Sequence, residues 1–123
     1  MSKTETPIVD MHYRNTMNKP LDRVVDEWMS AADQLFPKGT PEGCLIHAGK
    51  ELKELIEAHQ SGNESESLVE CADVVMCMLT YLRRRGFTVN MLKHAIAQKT
   101  VTNLRREWID NGDGSYSHKK DPE

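Results

Sequence analysis

"SLVECADVVMCMLTYLRRRG", residues 67–86, decides the fold. From Val69 to Leu82 almost every position is apolar, and a helix that is oily on all sides is buried on all sides. In a chain of 123 residues that is 38% hydrophobic, such a helix is either the centre of a bundle or is shared with other subunits. Two acids, Glu70 and Asp73, sit inside the run. An acid buried there without a partner costs several kcal/mol, so these two need an explanation.

The spacing predicts a helix from about Ser65 to Arg85, closed by Gly86 in a left-handed cap. Arg83, Arg84 and Arg85 fall where the helix dipole favours positive charge. Upstream, Leu21, Val24, Val25, Trp28, Met29, Ala32, Leu35 and Phe36 recur at helical spacing until Pro37 and Gly39 end the pattern. Thr40 caps the next predicted helix, with Pro41 at its first position, and Ser61, Gly62 and Asn63 stop it. A last helix is expected from Val89 to Trp108, capped by Thr88. No stretch alternates as a strand does. The expected architecture is an all-α four-helix bundle over residues 18–109, preceded by a mobile arm, 1–17, and followed by a polar tail or short hairpin, 110–123.

Composition excludes several function classes. With 16 basic and 19 acidic residues the net charge is only −3, which leaves no electrostatic footprint for nucleic acid or a membrane surface. The longest oily stretch, Cys71 to Leu82, is far below the roughly 20 residues that span a bilayer. The first residues, MSKTETPIVD, lack the apolar segment of a signal peptide. Cys44, Cys71 and Cys77 are odd in number, lie in apolar helical patterns and show no CxxC pair, so they read as core thiols of a cytoplasmic protein.

Residues three apart on a helix share a face. Glu51 and Glu54 therefore project together, as do Glu70 and Asp73. Two ionised carboxylates about 4 Å apart repel by roughly 4 kcal/mol at an effective dielectric of 20, so four converging acids need a cation. All-oxygen ligands select hard ions such as Mg²⁺ or Mn²⁺ over zinc. Taken alone, Glu51 and Glu54 fit a solvated face, which Glu57 extends; Glu70 and Asp73, set in the oily run, do not. On the last helix Lys99, Asn103 and Arg106 form a stripe of cation, amide and cation that suits phosphate oxygens, although alone it also reads as a basic surface. Trp28 and Phe36 are able to stack on a base, as well as to pack in the core. His47 shares a face with Glu51 and Glu54.

The pattern Glu51-x-x-Glu54, fifteen intervening residues, then Glu70-x-x-Asp73 resembles the signature of the MazG-like all-α nucleoside triphosphate pyrophosphohydrolases. "HAGKELKEL" at the first acids, "KTVTNLRREW" at Lys99 to Trp108 and "DGSYSH" near the end resemble the phage-type dATP/dGTP diphosphohydrolase, or MazZ-like, branch. The motif of that family often opens on two adjacent acids; here Lys50 precedes Glu51. The resemblance implies cleavage of a dNTP between its α and β phosphates to dNMP and pyrophosphate, with dATP and dGTP as substrates. It implies Mg²⁺ or Mn²⁺ on Glu51, Glu54, Glu70 and Asp73, with Glu51 or Glu54 also orienting the attacking water. It implies phosphate contacts from Lys99 and Arg106, a sugar or phosphate contact from Asn103, and assembly as a homodimer or homotetramer. The small-molecule nucleotide and the chain itself are then the only expected partners, in the host cytoplasm if the chain is phage-encoded. Two alternatives stay open: a pyrimidine-directed enzyme similar to the all-α dUTPases and dCTPases, and a non-catalytic helical oligomerisation module.

Overall fold

The computed structural model describes residues 7–120. Five helices run in chain order: α1 (Pro7–Met17), α2 (Leu21–Leu35), α3 (Pro41–Gln60), α4 (Glu64–Arg84) and α5 (Val89–Arg105), followed by β1 (Trp108–Asp110) and β2 (Tyr116–His118). The chain divides into two compact units, Met1–Val89 and Asn90–Glu123.

In the first unit, α3 and α4 form the most extensive pairing, an antiparallel hairpin, and α2 packs on α4. The start of α3 follows the expected chemistry: Thr40 Oγ1 accepts from the Gly43 N–H at 3.0 Å and Pro41 sits where its missing donor costs nothing. The α3–α4 turn needs Gly62 at φ +75°, after which Asn63 Oδ1 caps α4 by accepting from Glu66 N at 3.1 Å. Gly86, at φ +80°, ends α4 as the sequence predicts. The core is small: Met29, Ala32, Ala48, Ala58 and Leu79 are buried, with Thr80 as the buried polar residue. Thr80 is tied off within the fold. Its hydroxyl donates to Met76 O at 2.8 Å and accepts from Trp28 Nε1 at 3.2 Å, and the same indole N–H reaches Met76 O at 3.1 Å.

The all-α architecture stands, and several details of the expectation change. Residues 7–17, read as part of an arm, form α1, started by Pro7 in the first turn; residues 1–6 of that arm lie outside the described residues. The expected bundle of four helices therefore has a fifth before it. The last helix stops at Arg105 rather than Trp108, because Trp108 Nε1 turns back to take the end carbonyl of Asn103 at 2.9 Å. Trp108 instead pairs with His118 in an antiparallel hairpin, the form expected as one option for the tail. Lastly, Cys71, expected in the core, is exposed, and among the described residues Leu68, Val69 and Val75 of α4 are at least half exposed.

The arginine run at the end of α4 is used inside the chain. Arg83 pairs with Asp33 of α2 at 2.9 Å, and Arg85 donates to Tyr81 Oη at 3.2 Å. Arg84 reaches the carbonyls of Ala32 and Phe36.

Candidate active site

Helical spacing builds the site from two facing stripes. Along α3, Gly43, Cys44, His47 and Glu51 recur on one face; along α4, Asp73, Met76, Cys77 and Thr80 do the same. Between them, closed by Trp28 and Phe36 of the α2 end and by Gly39 and Thr40, lies a cleft of about 410 Å³. Its walls are mostly apolar. One end is aromatic, where Trp28 and Phe36 meet edge to face with centroids 6.4 Å apart. The other end is acidic.

There, carboxylate oxygens of Glu51, Glu70 and Asp73 all lie within 4.8 Å of one another. His47 Nε2 is 3.0 Å from Glu51 Oε1, which leaves Glu51 Oε2 buried with no hydrogen-bond partner, and Glu70 Oε2 is likewise buried and unpartnered. Buried polar atoms are almost always bonded, so two orphaned acceptors at one point mark a place for a cation. Every converging ligand atom is oxygen, which fits a hard divalent ion.

The crowding shows in Glu70, whose pKa is pushed from an ordinary 4.5 up to about 8. Its hydrogen bond with Glu66 is the largest cause, followed by burial and by the carboxylates of Glu51 and Glu54. Glu54 thus stands beside Glu70, though outside the tight group of three. Glu66 is the acid that the motif missed. Its signal was the i, i+4 spacing to Glu70, obscured by the polar run ESES at the start of α4. Cys77 also faces the acids: burial, then the charges of Glu51 and Asp73, then Cys44, push its thiol up and keep it protonated.

The first unit thus brings together Glu51, Glu70 and Asp73, with Glu54 next to them, and places Trp28, Phe36 and His47 in the same cleft. Lys99, Asn103 and Arg106 belong to the second unit. There Arg106 Nη1 lies 3.5 Å from Asn103 Oδ1, while Arg106 Nε is buried without a partner.

This arrangement of helices is that of the MazG-like pyrophosphohydrolases. A solved structure of a cyanophage S-2L MazG-like pyrophosphohydrolase, bound to dGDP and three catalytic Mn²⁺ ions per active site, superposes with a TM-score of 0.68 over 86% of this chain and 99% of that one, at 23% identity. That likeness establishes the fold. Residues 24–122 match the dATP/dGTP pyrophosphohydrolase family, and the chain belongs to it. A curated relative, phosphoribosyl-ATP pyrophosphatase 1 of Rhodopseudomonas palustris, is 34% identical over 71 residues, which cover 58% of this chain and 65% of that protein's length.

Proposed function

We propose that this chain hydrolyses purine deoxynucleoside triphosphates, dATP and dGTP, to the monophosphate and pyrophosphate with Mg²⁺ or Mn²⁺. The observation that carries the reading is the pair of orphaned, buried oxygens on Glu51 and Glu70, grouped with Asp73 beside an apolar cleft that Glu51 and Asp73 line. Membership of the dATP/dGTP pyrophosphohydrolase family supports the substrate class.

Glu51, Glu54, Glu70 and Asp73 would hold the metal. Ions bound there supply charge neutralisation at the phosphates and a water of lowered pKa. Of the two acids assigned to orient that water, Glu51 is the better placed: His47 holds Oε1, and Oε2, buried and unpartnered, would accept the proton. The cleft between α2, α3 and α4 would take the base, with Phe36 and Trp28 offering aromatic surface and Cys44, Met76 and Cys77 excluding water. Lys99 and Arg106 would neutralise phosphate charge and Asn103 would contact sugar or phosphate; the stripe they form and the family resemblance support these roles.

The uncovered apolar residues of α3 and α4, Leu52, Ile56, Val69 and Val75 among them, support assembly as a homodimer or homotetramer. No helix among the described residues is long and apolar enough to cross a membrane, which supports a cytoplasmic place of action.

A panel of the common dNTPs with Mn²⁺, read for both pyrophosphate and orthophosphate, tests the reading. Pyrophosphate from dATP and dGTP is the expected result. Preference for dUTP or dCTP would replace it with the pyrimidine-directed alternative, and no turnover with an intact oligomer would favour a helical module.

A further inference from the structure

We infer that Arg84 is a positioning residue for the base end of the cleft, and the inference rests on the catalytic reading above. Helix α2 ends at Leu35 with no basic residue in its last turn, so its terminal carbonyls have no cation of their own. The cation comes from the end of α4. Arg84 Nη2 donates to Phe36 O and lies 3.4 Å from Ala32 O, bonds that span 48 and 52 residues of chain. Phe36 O also accepts from Gly39 N at 2.9 Å, so one guanidinium and one tight turn fix the segment from Phe36 to Thr40. Phe36, Gly39 and Thr40 all line the cleft, whereas Arg84 does not.

Gly39 is the space that the clamp requires. A Cβ there would lie 3.0 Å from Arg84 Nη2, 3.2 Å from Nε and 3.2 Å from Phe36 O, tighter than nine in ten such contacts, so the guanidinium would have to give way by a few tenths of an ångström. Its φ is not in the left-handed region, so the glycine answers to the guanidinium rather than to the backbone. The clamp also leaves Arg84 Nε buried and unpartnered. A donor left unmet to hold two carbonyls points to placement of the loop, because a buried orphan makes the guanidinium a costly brace.

Arg84 therefore acts on the base through Phe36 and leaves the acids alone. Steady-state kinetics of wild type, Arg84→Met, Arg84→Lys and Gly39→Ala test this with dGTP, dATP and inorganic tripolyphosphate, which has no base. Arg84→Met should raise KM for both dNTPs roughly tenfold with kcat within about twofold, the loss of a charged hydrogen bond read as affinity. KM for tripolyphosphate and Mn²⁺ affinity of the apoprotein by calorimetry should not move. Gly39→Ala, which keeps the guanidinium but crowds it, should reproduce the rise, and Arg84→Lys should recover part of it. An equal rise for tripolyphosphate would show that Arg84 meets phosphate and overturn the inference. Unchanged KM in both Arg84→Met and Gly39→Ala would overturn it too, with the catalytic reading intact. A wild type that releases no pyrophosphate would remove both.

Discussion

At the aromatic end of the cleft the chain supplies partners for the Trp28 indole and for the carbonyls of Ala32 and Phe36, leaving the guanidinium nitrogen Arg84 Nε unmet, whereas at the acidic end it leaves carboxylate oxygens unmet. Trp28 Nε1 bonds both Met76 O and Thr80 Oγ1, and the carbonyls of Ala32 and Phe36 take Arg84. Nearer the start of α4, and on α3 beside it, Glu70 Oε2 and Glu51 Oε2 are buried with nothing to bond, and the carboxylates of Glu51, Glu70 and Asp73 crowd within 4.8 Å. One end is finished largely by the chain; the other, on the proposed function, would be finished by a cation. Substitutions at the two ends should therefore fail differently: at the acidic end activity is lost while the fold is relieved, and at the aromatic end the fold and substrate affinity suffer together.

The largest expected effect is at the acidic end. Asp73→Asn removes a converging oxygen, and turnover of dGTP should fall on the order of a thousandfold, the rate equivalent of several kcal/mol of lost metal assistance. Retention of more than a tenth of the wild-type rate would break the distinction between the ends. At the aromatic end, Phe36→Ala should raise KM for dNTPs roughly tenfold, within the range for a lost base–aromatic stack, and leave kcat nearly unchanged. A fall in kcat at constant KM would place Phe36 in the chemistry instead. Trp28→Phe keeps an aromatic ring but removes the N–H donated to Thr80 Oγ1 and Met76 O, the latter still taking the Thr80 hydroxyl, and should cost about 1 kcal/mol of stability by denaturant melting. An unaffected midpoint would mean that the bifurcated bond is dispensable.

The smallest effect is in pH dependence. Glu70 holds its proton more tightly folded, at about 8, than unfolded, at an ordinary 4.5. Its contribution to stability is thus fully present below 4.5 and is lost as pH rises towards 8. The metal-free protein should accordingly lose thermal stability across that interval, while saturating Mn²⁺, which requires the carboxylates deprotonated, should flatten or reverse the trend. A rising midpoint without metal would contradict the crowding.

The division between the ends was unevenly legible in the sequence. The acids announced themselves because Glu70 and Asp73 interrupt an apolar run, and burial makes an unpaired acid conspicuous. Pro41, Thr40 and Gly86 fixed helix ends through local chemistry that nothing distant overrides. Glu66 stayed hidden because an acid in a polar first turn looks like ordinary helix-dipole chemistry, although its i, i+4 spacing places it beside Glu70 on the same helix. Arg84 was equally opaque. Its place beside Arg83 and Arg85 suggests a charged helix end, and its bonds to Ala32 and Phe36 exist only once α2 and α4 have packed. Helix α1 lacked a sustained apolar period, and the turn at Arg106 depends on the contact from Trp108 back to Asn103.

Melting curves of wild type and Asp73→Asn, each with and without Mn²⁺, test the central claim that the acidic end is completed by a cation. Wild type should gain stability as Mn²⁺ is added, by about 2.7 kcal/mol at a hundred times Kd, because an ion that binds only the folded state shifts the equilibrium towards it. Without metal, Asp73→Asn should melt higher than wild type, since one of the crowded charges is gone, and it should gain much less from Mn²⁺. A mutant destabilised by roughly 3–5 kcal/mol, with neither protein responding to Mn²⁺, would show instead that Asp73 is half of a buried ion pair.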